Sequence, residues 1–166
     1  MNPEQAKFLA AAVGQQLMVE WQTTYKVLAA IPEGKKDWKP EPHARTAWDL
    51  ATHIATVDVG FLDAVAANSF TGGAYPASCA ATTVAALADW YKHEMARALE
   101  RVLALDGRHL EQIVDFYGMK LPSVSYLMFC NNHMIHHRGQ LATYLRPMGG
   151  KVPAIYGGSF DEPYHG

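Results

Sequence analysis

The sequence is short of cysteine, of excess charge of either sign and of long apolar runs. Two cysteines, Cys79 and Cys130, among 166 residues make no disulfide framework, and there is no Cys-x-x-Cys pair for dithiol redox chemistry. Cys130 is expected as a small buried apolar residue, and Cys79 as an idle thiol in a loop. The 14 Lys and Arg nearly balance the 16 Asp and Glu, for a net of −2. A nucleic-acid binder shows a basic stripe; here the densest basic cluster is Lys35, Lys36 and Lys39, expected as a solvated loop. No run of 18 apolar residues is present, so no membrane span is expected. Met1-Asn2-Pro3-Glu4-Gln5 lacks a basic start and a small-residue cleavage pattern, which predicts no signal peptide. Together these absences predict a cytoplasmic protein with no nucleic-acid and no membrane partner. No internal repeat at a period of 20–50 residues occurs, and no strand-alternating segment of useful length.

What is present is helical periodicity. Hydrophobic residues make up 49% and charged residues 18%, a balance that excludes intrinsic disorder and suits one domain over 1–166. The first segment runs from about Pro3 to Ala30, with Leu17, Trp21, Thr24, Leu28 and Ile31 on one face. Ile31-Pro32-Glu33-Gly34 stops it. The second starts at Thr46, read as an N-cap, and runs to about Ala67 along Leu50, Ile54, Val57, Phe61 and Val65. After a loop punctuated by Gly72-Gly73 and Pro76, Thr82 or Thr83 caps a third segment that ends near Leu105. Residues 109–122 read as an irregular, partly extended connection with a turn at Gly118. Ser123 is read as the cap of the fourth segment, which runs to about Arg146. The tail from Lys151 to Gly166 is expected to lie against the body. Four amphipathic helices of this length bury their stripes best as an all-α four-helix bundle with irregular loops.

The fourth segment carries the chemistry. Its apolar stripe is Tyr126, Cys130, His133, Met134, His137, Leu141 and Tyr144, so two histidines four residues apart sit within the stripe and face the same way. His53 lies on the stripe of the second segment, and a bundle core can bring residues of separate helices onto one centre. Three imidazoles buried without a metal would leave three donors and three acceptors needing partners. A site built from His53, His133 and His137 holding a divalent transition metal, with one coordination position open, is the reading this favours. Imidazole suits zinc, nickel, iron and copper, and zinc is the first choice. Asp49, one turn before His53, is a candidate to accept a ring N–H; Tyr126 and Gln140 are candidates to line the pocket. Arg138 is read as a surface or dimer ion-pair partner, with a substrate carboxylate as the alternative. Glu94 or Cys130 would be a fourth ligand if the metal were structural. His136 is placed at the rim, His93 off the core, and His43, His109 and His165 in solvent.

The run His133-Met134-Ile135-His136-His137-Arg138-Gly139-Gln140-Leu141, continuing through Tyr144-Leu145-Arg146-Pro147-Met148-Gly149, resembles the last-helix motif of the DinB-like (YfiT-like) family of metal-binding bundles. Trp48-Asp49-Leu50-Ala51-Thr52-His53-Ile54 resembles that family's second-helix motif. The resemblance covers nearly the whole chain. It implies an up-down-down-up four-helix bundle, often a homodimer, with the metal on His53, His133 and His137. Relatives of the family include thiol S-transferases that use low-molecular-weight thiols and a thiol-dependent maleylpyruvate isomerase. The resemblance therefore implies transfer of such a thiol to a small electrophile. A metal-dependent hydrolase and a non-catalytic metal-binding or stress-response module are the alternatives.

Overall fold

The computed structural model describes residues 1–71 and 75–164; Gly72-Gly73 and His165 lie outside the described residues. Asn2 opens α1 (Pro3–Ala29) with a capping box, its side chain accepting from Gln5 N while the Gln5 side chain accepts from Asn2 N. Thr46 Oγ1 accepts from Asp49 N at 3.0 Å and caps α2 (Ala47–Ala67). Thr83 caps α3 (Val84–Ala104) in the same way. A cap of this kind is worth about 1 kcal/mol. A four-residue helix α4 (Gly107–Leu110) follows, then strands β1 (Ile113–Phe116) and β2 (Met119–Pro122), a 3₁₀ turn and α5 (Tyr126–Leu145). The chain is mostly helical, with helix bounds within a few residues of those expected.

The long helices form a closed ring of contacts: α1 packs on α3 and α5, and α2 packs on α3 and α5. Cross-contacts give their directions. Lys7, near the start of α1, donates to Leu103 O and Leu105 O at the end of α3, so these two are antiparallel. On α2 and α3, Asp58 meets Tyr91 and Asp63 meets Arg101, so these run parallel. Val65 meets Ser123 while His53 meets His137, so α2 and α5 are antiparallel. Of the helices described, α2 has the length and apolarity of a membrane span. However, 67% of that stretch is buried inside the fold and it carries the fully buried Asp58, which makes it the core helix.

Four expectations are corrected. The connection at 109–122 is partly extended and turns at Gly118, as expected, but it contains a regular antiparallel hairpin and is not irregular: β1 pairs with β2 through Tyr117 and Gly118, both at positive φ, as a two-residue type I′ turn requires. Four-residue strands are too short to show alternation. Ser123 does not cap α5; its hydroxyl donates to Val65 O at 3.3 Å. His109 is half-buried, within 3.1 Å of Val65 O, rather than solvated. Arg138 is not at the surface. It is 1% exposed and donates to Glu20 Oε2 at 2.6 Å. The tail closes over this pair: the Tyr156 hydroxyl donates to Glu20 Oε2 at 2.8 Å and its ring lies 5.0 Å from the Arg138 guanidinium.

Candidate metal centre

The structure brings His53, His133 and His137 together. Helical spacing puts His133 and His137 on the face of α5 that meets α2, and His53 lies opposite them. The Nε2 of His53 is 3.0 Å from Nε2 of His133 and 3.3 Å from Nε2 of His137. One ligand nitrogen from each falls within a 4.8 Å cluster.

The outer nitrogens fix the tautomers. His133 Nδ1 lies 2.7 Å from Asp58 Oδ1, and His137 Nδ1 lies 2.7 Å from Gln140 Oε1. Tyr91 donates its hydroxyl to Asp58 Oδ2 at 2.9 Å; in its ionised form Asp58 accepts the Nδ1–H of His133 at Oδ1. Gln140 Oε1 likewise accepts the Nδ1–H of His137. Each of these rings then turns a bare Nε2 lone pair into the cluster. His53 has one proton to offer two lone pairs, so the three nitrogens cannot all be satisfied by one another. A cation would satisfy them, and the donor set fits a transition metal.

Electrostatics agree with that fit. Burial pulls His53 and His133 down to about 4, and Arg45 pulls in the same direction. Burial also lowers His137, against the opposing hydrogen bond to Gln140. The rings are therefore neutral at pH 7, the form that ligates metal. Burial pushes the Asp58 carboxyl well above its ordinary value, opposed by the Tyr91 hydrogen bond and the charge of Arg138. When ionised, this carboxylate has a neutral histidine partner and no close countercharge at the cluster, which a cation there would supply.

The other sequence candidates lie as follows. Gln140 is at the cluster. Asp49 is not: it is exposed in the first turn of α2, and the carboxylate that reaches a cluster histidine is Asp58. Tyr126 is buried away from the cluster, its hydroxyl 2.6 Å from Met119 O and 2.9 Å from Val114 O, so it ties the hairpin to α5. Cys130 turns its thiol to Asp58 O, and Glu94 pairs with Arg97; neither joins the cluster. Sequence reasoning passed over Asp58. Its signal was an acidic residue among Val57, Val59 and Phe61, which must find a buried partner.

The cluster has an apolar side and a polar side. Phe61 stands 6.0 Å from the His133 ring and packs on Phe70, Tyr75 and Phe116. On the other side a cavity of about 330 Å³ opens beside His137, walled by Arg45, Leu50, Gln140, Thr143 and Tyr144.

Comparison with known proteins places the chain and its fold among relatives. Residues 13–164 match the family model described as DinB family. The uncharacterized protein YrdA of Bacillus subtilis (strain 168) is 35% identical over 83 residues, 49% of each protein; the match thus spans about half the length of that curated relative. The crystal structure of a DinB-like protein from Bacillus subtilis covers 92% of this chain and 99% of its own at a TM-score of 0.73 and 21% identity, a likeness of fold. A DinB-like protein from Bacillus cereus ATCC 10987 covers 86% and 94%, with a TM-score of 0.70 and 28% identity.

Proposed function

The chain belongs to the DinB family, and from that premise we propose that it is a metal-dependent enzyme that transfers a low-molecular-weight thiol to a small electrophile. The reading takes the four long helices as the family's up-down-down-up bundle. It includes a homodimer in a cytoplasmic setting. His53, His133 and His137 would hold a divalent transition metal, zinc first. Such an ion, when bound, supplies the acidity that turns a thiol into a thiolate at neutral pH.

The observation that carries this reading is the convergence of three neutral imidazole nitrogens, two of them locked as acceptors by Asp58 and Gln140. Among the described residues the cluster has three members. Three protein ligands with a position left open belong to catalytic centres, whereas closed structural zinc sites use four. That favours a substrate-binding centre over a purely structural ion. Asp58 and Gln140 keep the rings in one tautomer, and Phe61 excludes water from the His133 side. In the reaction the thiol sulfur forms a bond to the electrophilic carbon. The leaving group departs with its bonding pair, and the thiol proton passes to solvent.

Metal content of tagless protein, measured by inductively coupled plasma mass spectrometry beside His133→Ala, tests the metal. About one ion per chain, lost in the variant, is expected; no ion in either protein overturns the reading. A screen of thiols against electrophilic substrates then tests transfer. Metal-dependent hydrolysis of an ester or amide without thiol consumption would replace transfer by the neighbouring chemistry.

A further inference from the structure

The cavity beside His137 has one cation on its wall. Arg45 forms no ion pair with any carboxylate among the described residues, although Asp49 stands one turn away along the chain. It shares the cavity with His137 and Gln140. Gln140 spends its carbonyl oxygen on His137 Nδ1, which leaves its amide N–H groups as donors. Leu50 and Tyr144 supply the apolar part of the wall. A cationic fork and an amide donor therefore face a small space whose inner wall is one of the cluster histidines.

An unpaired guanidinium beside neutral imidazoles is a binding group for an anion. The planar guanidinium fork matches a carboxylate bidentately, and a divalent ion at the cluster would add positive charge on the same wall. The volume, about 330 Å³, is at the small end for ligand sites. We infer that the site is built for a small carboxylate-bearing molecule, its carboxylate held by Arg45 and the Gln140 amide and its reacting end directed to the three-histidine cluster. This rests on the metal-dependent reading above and names the substrate class of that site.

The test uses cobalt-loaded full-length protein and three small thiols: 3-mercaptopropionate, 2-mercaptoethanol and cysteamine, which are anionic, neutral and cationic away from the sulfur. Binding is read by the thiolate-to-cobalt absorption band, with each affinity corrected for its thiolate fraction. The expected order is anion, then neutral, then cation, with about tenfold between the first two. Arg45→Gln is expected to weaken all three thiolates and to remove the advantage of 3-mercaptopropionate over 2-mercaptoethanol, and Arg45→Lys to keep part of that advantage. Equal affinities in the unaltered protein, or a preference that survives Arg45→Gln, would overturn the inference while leaving the metal centre intact. Failure to bind cobalt at all would overturn the metal reading and this inference with it. Circular dichroism of Arg45→Gln checks that this exposed substitution leaves the fold unchanged.

Discussion

His133 Nδ1 lies 2.7 Å from Oδ1 of Asp58, a fully buried carboxylate contributed by the facing helix. This contact decides which nitrogen of His133 faces the cluster. Tyr91 backs it from α3 through Asp58 Oδ2, so three helices set the orientation of one ring.

Replacing Asp58 by Asn removes the carboxylate but keeps the shape. The amide can present its NH₂ to Nδ1 and so drive the ring proton onto Nε2, inside the cluster. Metal retention is expected to fall about 10–100-fold, the usual cost of losing such a partner. Competition with a chromophoric chelator measures it. Tyr91→Phe should have a smaller effect in the same direction, because Asp58 still accepts from His133. Unchanged affinity in Asp58→Asn would show that the ring orientation comes from packing alone.

The buried pair of Glu20 and Arg138 joins α1 to α5. Removing one partner strands the other charge in the core, at a cost of about 3–5 kcal/mol, whereas replacing both with apolar residues of similar volume is often neutral or stabilising. Urea denaturation of Glu20→Leu, Arg138→Met and the double variant should show two strongly destabilised singles and a double well above either. A double as unstable as the sum of the singles would mean no coupling between the two residues, so the single losses would come from packing and not from a stranded charge.

The helices and the three histidines were legible because both follow the 3.6-residue period. Leu50, Ile54, Val57, Phe61 and Val65 mark one face, and His133 and His137 fall on another. Asp58, Glu20 and Arg138 were not legible as partners. A buried charge shows in sequence only as an interruption of an apolar stripe, and the residue it hydrogen-bonds is 75 or 118 positions away. The hairpin escaped for a different reason. Its four-residue strands show no period, and only the tight turn at Tyr117 and Gly118 betrays it.

Tyr126 separates a structural role from a role at the cluster. Its hydroxyl serves the backbone carbonyls of Val114 and Met119. Tyr126→Phe should therefore destabilise the fold by about 1–3 kcal/mol, the cost of a buried acceptor left unpaired. Metal stoichiometry should stay unchanged. Thermal unfolding and metal analysis of the same preparation check both. Loss of metal at full stability would instead put Tyr126 in the site.

Acid should destabilise the metal-free protein through the cluster itself. His53 and His133 sit at about 4 in the fold, against an ordinary 6.5. Between those values the unfolded chain binds protons that the native state refuses, so stability rises with pH across this window. The contribution is fully present above about 6.5 and is lost as pH falls toward 4. A variant carrying His53→Gln and His133→Gln keeps only His137 of the three lowered rings, so its stability should change less from pH 7 to pH 4. Urea titrations at several pH values compare the two slopes. A bound divalent ion competes with the same protons, so loaded protein should release metal on acidification. Equal slopes in the two metal-free proteins would mean that the rings keep ordinary affinity for protons. The cluster would then be wet rather than desolvated, and the neutral, metal-ready state at pH 7 would owe nothing to the fold.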